Sequence, residues 1–486
     1  MAPGAERVAA APVRGSHLPD RVCVWTPTHR GWHQGARRRR GTMSDADITS
    51  ILFGASPDPD DVRRWADEGF VFSAAVPWGL RQRQGGPCAV LAPVQAFLIA
   101  ELLAVSSVFD ATPEQCQEAL VGALALILWH ARPSTTSPAF LGVTAHASLD
   151  TLRDTIRRSN LQQPGAIVEF VKSLLRTRTI DGVKTDLNYD TEPLVSRFGH
   201  GSQELVNLCL FGRAVSHLFD GRRQLAPDVE VCGVPSRCRI GLLSQMEVLQ
   251  YTKVGNFLRC PLLPIWIVAS ATHYTVLFST DPTVAHLSDA DVAEHVAHAE
   301  FAAFDTTDSN FIAGDDLGPL LHRLHRDDLA RDLDRVRGLV DPDGLGIVLW
   351  SSLWGVLQAT LVGDDASEPW QCAACTFVNA NEPDQCEICM TPRPPRAAAA
   401  GAADGNGAQQ GSGSARAPDQ FVLFHYNGME NHSGATATCC QVGVTVMDAE
   451  GIPQGQSAER GLREVIQTRW PDAIVDFEQG VEPRIT

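Results

Sequence analysis

The segment TPRPPRAAAAGAADGNGAQQGSGSARAPDQ, residues 391–420, constrains the fold more than any other stretch. Its Ala, Gly, Pro, Ser and Gln have little to bury, which is the composition of a flexible linker. Strand-like sequence nevertheless resumes beyond it, in FVLFHYNG (421–428) and CCQVGVTVMD (439–448). A pair of strands alone is marginal in water. The tail is therefore expected to return to a domain built earlier in the chain, which makes the preceding segment an insertion.

The host domain is sought upstream. DVRRWADEGFVF (61–72) and GAIVEFVKSLLRT (165–177) read as amphipathic helices. LLPIWIVAS (262–270) and THYTVLFS (272–279) are short, β-branched and aromatic, and read as adjacent strands, the first buried on both faces. Mixed elements of this kind indicate an α+β class. At 486 residues, two or three units are expected. The 44% hydrophobic content supports a real core.

A net charge of -17 argues against a general nucleic-acid binder, which needs clustered Lys and Arg. The most apolar stretch, residues 89–109, is broken by Pro93, Gln95 and Glu101, so it reads as buried core and no membrane partner is expected. Thirteen cysteines, an odd number with no secretory signal, point to a reducing compartment, cytoplasm or nucleus. The first 42 residues are Arg-rich and without apolar periodicity, so disorder is expected there. They read alternatively as a transit peptide, or as sequence ahead of a true start at Met43.

One cysteine has a distinctive setting. In QRQGGPCAVLAPVQAFLIAELL (82–103), Cys88 follows two glycines and a proline at the mouth of an apolar run. Pro suits the first helical position, which puts the thiol among unpaired N–H groups where the helix dipole favours a thiolate. Pro93 implies a kink there or a later helix start. Gln82 is placed to donate to an oxyanion beside the thiol, with Gln84 as competitor. The bland alternative is a small buried hydrophobe. A nucleophilic cysteine needs a base, and His273 at a strand opening is the candidate, with His425 the runner-up.

Four blocks, LRQRQGGPCAVLAPVQAFLIAELL, GLLSQMEVLQYTKVGNFLRCPLLPIWIVASATHYTVLFS, FVLFHYNG and VIQTRWP, resemble the MINDY family of ubiquitin-specific cysteine proteases. The likeness is to its larger members, which carry an EF-hand-like insertion, and covers most of residues 43–360 and 420–486. It implies a papain-like fold and hydrolysis of isopeptide bonds in polyubiquitin, preferring 48-linked chains. The family's nucleophile falls on Cys88, its histidine on His273 and its oxyanion-hole glutamine on Gln82. Asn427 and Asp305 both remain open as the residue orienting His273. The rival reading is a catalytically silent ubiquitin-binding adaptor.

WQCAACTFVNANEPDQCEICM holds Cys372, Cys375, Cys386 and Cys389 at C-x2-C-x10-C-x2-C, the spacing of one structural Zn2+ site. With Trp370 and Asn379 it resembles an NZF (RanBP2-type) finger. That resemblance makes Thr376, Phe377 and Ile388 the ubiquitin contacts. Glu382, Asp384 and Glu387, with no Lys or Arg between Trp370 and Met390, disfavour RNA. DTTDSNFIAGDD (305–316) and DPDGLGIVLWSS (341–352) mimic EF-hand loops but end in Asp316 and Ser352 where a bidentate glutamate is wanted, so no calcium is expected. The expected organisation is a basic extension (1–42), the main catalytic part (43–300), an EF-hand-like helical segment (301–358), the finger (368–393), the linker (394–419) and strands returning to the core (420–486). Polyubiquitin chains and ubiquitinated proteins are the expected partners.

Overall fold

The computed structural model describes residues 44–83, 85–187, 192–226, 229–305, 307, 309–361, 370–371, 378–379, 419–430, 436–446, 461–471, 473–478 and 480–485. The chain divides into two compact units, one of residues 1–22 and 364–408 and the other of residues 23–363 and 409–486. In the first, Trp370–Gln371 pairs antiparallel with Val378–Asn379. The four finger cysteines, Thr376, Phe377, Ile388, Gln84, the extension at 1–42 and the linker through residue 418 lie outside the described residues.

The second unit is built on helices α1 (Pro59–Ala66), α2 (Cys88–Leu103), α3 (Pro113–His130), α4 (Ala166–Arg178) and α5 (Gln203–Phe211). They pack with one sheet of strands β1 (Gly241–Ser244), β2 (Ile265–Ala269), β3 (Tyr274–Phe278), β4 (Gln420–Asn427), β5 (Thr438–Val446) and β6 (Ala473–Phe477). The strands lie side by side in chain order. The β1–β2 pair is parallel and every later pair antiparallel. Because β4 hydrogen-bonds to β3, the chain leaves this sheet after Phe278 and rejoins it at Gln420.

The sheet is covered on both faces. Along β2, Ile265, Ile267 and Ala269 join the core that contains α2, while Trp266 and Val268 join a second core on the other face. That explains the unbroken apolar run of this strand. The second core is supplied largely by the tail, through Leu462, Val465, Ile466 and Trp470. The tail is thus more than a strand pair: a third strand and a helix (Leu462–Gln467) close its core.

Between β3 and β4 a helical module has its own core, with Phe301, Leu317, Leu320, Leu321, Val336 and Leu353. Two loops in it meet through a short antiparallel pair, Phe311–Ala313 with Ile347–Leu349, in the register Ile312↔Val348. Its core also draws on the helix Asp289–Ala302, which begins before residue 301.

Local differences from expectation have physical causes. The helix expected over 61–72 ends at Ala66, because the backbone turns away to pair with a neighbour: the Phe70 N–H donates to the Leu161 carbonyl at 2.9 Å. Pro87 is the N-cap of α2, one position before the expected one, and the helix starts at Cys88 and continues through Pro93. This helix is buried on nearly all sides, so tertiary packing outweighs the hydrogen bond that the proline removes.

Candidate active site

The thiol enters the site by way of a constrained loop. Gly86 has φ +132°, and a Cβ there would lie 2.6 Å from the Gly199 carbonyl oxygen, so only glycine fits. The loop delivers Cys88 as the first residue of α2, where the first-turn amides have no intrahelical acceptor. Cys88 is buried. Burial is the largest influence on its thiol and pushes the pKa up. Contacts with the Tyr274 and Gly86 backbone, the Gln82 side chain and the Ala89 backbone pull the other way, and the thiol itself donates to the Gly86 carbonyl at 3.8 Å. A bond that favours a thiolate comes from a donor, so the Gln82 carboxamide presents its N–H to the sulfur.

Gln82 is held by the returning tail. Its N–H donates to the Gly428 carbonyl at 2.8 Å, and the Glu430 N–H donates to the Gln82 carbonyl at 2.7 Å. Glu430 in turn accepts from the Ser73 hydroxyl. A Cβ at Gly428 would meet the Leu80 carbonyl at 2.4 Å, so the two segments close only with glycine there. The Tyr426 hydroxyl, one strand position from His425, donates to the same Leu80 carbonyl at 2.8 Å.

His273 sits immediately before β3, next to Tyr274, whose backbone contacts the Cys88 sulfur. Its Nε2 lies 3.1 Å from Asn427 Oδ1. The Met429 N–H also donates to Asn427 Oδ1, at 3.1 Å, which fixes that atom as the oxygen. His273 Nε2 must then carry the proton and donate. Its Nδ1 is left bare, buried and without a hydrogen-bond partner among the described residues. Burial foremost pushes the His273 pKa down, with the Asn427 bond opposing and His200 reinforcing the shift. Burial therefore favours the uncharged imidazole and the protonated thiol.

The other candidates are sorted by the same geometry. His425 is fully buried in β4, bonded through Nε2 to Thr275 Oγ1 at 2.9 Å, with its pKa pushed down to about 3 by burial and then by His273. Its Nδ1, like that of His273, is buried without a hydrogen-bond partner among the described residues, so the two histidines are separated by their Nε2 partners, Thr275 for His425 and Asn427 for His273. Asp305 accepts from the Ser309 and Asn310 N–H groups at 3.0 and 2.7 Å in its own loop, so of the two open candidates Asn427 is the one that contacts His273. A small cleft here is lined by Gln82, Leu91, Gln95, His273, Tyr274 and Tyr426.

Comparison with known proteins now decides the class. A family model described as "Deubiquitinating enzyme MINDY-3/4, conserved domain" matches residues 49–149 and 140–297. The chain belongs to the MINDY-3/4 family of deubiquitinating enzymes. The Ubiquitin carboxyl-terminal hydrolase MINDY-3 of Homo sapiens is 28% identical to it, over 89% of this chain and 94% of the relative. The Bos taurus protein of the same name is 29% identical, with the same coverage. The Probable ubiquitin carboxyl-terminal hydrolase MINDY-4 of Mus musculus is 31% identical, over 49% of this chain and 37% of its own. No solved structure gives a significant match. This MINDY-family chain is thus a ubiquitin hydrolase, with ubiquitin or ubiquitinated proteins as substrate. Among its described residues no helix is long and apolar enough to cross a membrane.

Proposed function

We propose that the chain is a papain-like thiol hydrolase of polyubiquitin, with Cys88 as nucleophile, His273 as base, Asn427 as its orienting partner and Gln82 in the oxyanion hole. The observation that carries this reading is the bare Nδ1 of His273, whose tautomer is set through Asn427 by the Met429 N–H. His273 Nδ1 takes the thiol proton as Cys88 Sγ attacks the carbonyl carbon of a ubiquitin C-terminal glycine. The oxyanion is held by the Gln82 carboxamide and a backbone N–H at the start of α2. The imidazolium then protonates the lysine amine as the C–N bond breaks. Water, deprotonated by His273, cleaves the thioester and releases the ubiquitin carboxylate.

The preference for 48-linked chains belongs to this proposal and rests on the resemblance of the catalytic blocks. Hydrolysis of a panel of diubiquitins tests it: the 48-linked dimer is cut fastest, and equal rates on all linkages would refute the preference. The Cys372, Cys375, Cys386 and Cys389 segment is proposed to hold one structural Zn2+ and to bind ubiquitin through Thr376, Phe377 and Ile388. Tethering raises the effective concentration of a chain near the thiol. Thr376→Ala with Phe377→Ala should raise the KM for long chains and leave single-ubiquitin probes unaffected. Unchanged kinetics on long chains would remove the finger from substrate binding.

The helical module is proposed as a structural EF-hand-like pair that works without calcium. The eight cysteines among the described residues are all free, which supports a cytoplasmic or nuclear setting.

A further inference from the structure

One side chain of α2 is out of keeping with its surroundings. Gln95 is 1% exposed, while the other buried residues of the helix are apolar apart from the thiol, and the chemistry above does not use it. It follows Cys88 by seven residues, two helical turns, and so shares the face of the thiol. Both ends of its carboxamide are engaged. Oε1 accepts from the Leu80 N–H at 2.6 Å, and Nε2 donates to the Trp78 carbonyl at 3.3 Å.

Leu80 presents its peptide groups to this side because its neighbours use the other. The Ser73 N–H donates to the Gly79 carbonyl at 2.7 Å, and the Arg81 N–H donates to the Val71 carbonyl at 2.9 Å. In this antiparallel bridge of Phe72 and Leu80, the N–H and carbonyl of Leu80 itself therefore point away from Phe72. The N–H meets Gln95, and the carbonyl accepts from the buried Tyr426 hydroxyl at 2.8 Å. Leu80 is thus tied at one end to the helix that opens with Cys88 and at the other to the strand that ends in Asn427. Two residues on, Gln82 lines the same cleft as Gln95, Tyr426 and His273.

We infer that Gln95 is a positioning residue, with Tyr426 as its counterpart: by holding Leu80 from both sides they fix where the Gln82 carboxamide stands relative to the thiol's helix and to His273. A fully partnered buried amide holds one geometry. An apolar residue in its place would strand the Leu80 N–H and the Trp78 carbonyl and leave the segment free to shift. The inference rests on the proposal that Gln82 serves the oxyanion.

The test uses the full chain as wild type, Gln95→Met, Tyr426→Phe, Gln82→Ala, and each of the first two combined with Gln82→Ala. Two readouts are taken: kcat and KM on 48-linked tetraubiquitin, and the rate at which iodoacetamide alkylates Cys88, read by peptide mass spectrometry. Alkylation is a displacement at carbon that forms no oxyanion, so it reports the thiol and the fold around it but not Gln82. Gln95→Met should lower kcat about tenfold, less than loss of the donor itself, with KM and alkylation within about twofold of wild type. Tyr426→Phe, which deletes one hydroxyl and keeps the ring, should lower kcat about threefold. Neither should lower kcat further once Gln82 is alanine, because both act through that side chain. A full further loss in the double variants, or wild-type kcat in both single variants, overturns the inference. So does alkylation that falls in step with kcat, which would make Gln95 a support of the helix and its thiol. If Gln95→Met does not fold, the Tyr426→Phe arm decides the matter alone. Full activity of Gln82→Ala is a different failure, that of the oxyanion assignment, and the inference falls with it.

Discussion

The active-site end of the sheet and the helical module between β3 and β4 handle their polar groups in opposite ways. In the module, Asp341 turns both carboxylate oxygens onto its own loop, accepting from the Leu345 and Gly346 N–H groups at 2.8 and 2.7 Å. Asp305 does the same with Ser309 and Asn310. These loops complete themselves and then pair with each other. At the sheet, side chains from distant segments converge and leave His273 Nδ1 and His425 Nδ1 buried without a hydrogen-bond partner among the described residues. Satisfied polar groups hold a shape, whereas buried groups without partners call for another explanation, of which chemistry is one.

The strongest way to break this contrast is to remove its reactive centre. Cys88→Ala should abolish chain cleavage while leaving the thermal midpoint close to wild type, as measured by gel assay and calorimetry; residual turnover would place the nucleophile elsewhere. Gln82→Ala should fold normally and lose on the order of a hundredfold in kcat, the cost of one oxyanion donor. Full activity there would point to Gln84 instead. Asn427→Ala frees the imidazole to take either tautomer and should lower kcat roughly tenfold or more with little change in KM. An unchanged kcat would show that the Met429–Asn427–His273 relay is incidental.

The pH profile sharpens the same point. Burial lowers the His273 pKa below its ordinary 6.5, so imidazolium loses its proton at lower pH and the base is available throughout the neutral range. The acid limb of kcat/KM should therefore lie below 6.5, and a limb at or above that value would contradict a buried neutral base. The smallest effect is expected in the module. Calcium against chelator should leave the thermal midpoint unmoved, because the loop aspartates are already engaged; a rise of several degrees would show a working site.

The local parts of this site were legible in the sequence, and the non-local parts were not. Two glycines and a proline before an apolar run place Cys88 at a helix mouth and Gln82 within reach, since all lie within a few residues. The Leu80–Tyr426 bond joins segments 346 residues apart across a long excursion, and nothing in either segment names its partner. For that reason Asn427 and Asp305 stood level until the fold placed one against His273 and turned the other into its own loop. The overlong helix at 61–72 has the same origin, since its apolar spacing runs on into Phe70 and Phe72 while the backbone leaves to pair with Leu161. Pro93 misleads because a penalty that breaks an exposed helix is tolerated in one buried on all sides.

Intact-mass and peptide mapping of the full chain after incubation with ubiquitin propargylamide tests the central claim most directly. Of the 13 cysteines, Cys88 alone should carry one ubiquitin, and His273→Ala should suppress the adduct while remaining folded. No adduct on folded wild type, or an adduct on any other cysteine, would contradict the assignment of nucleophile and base.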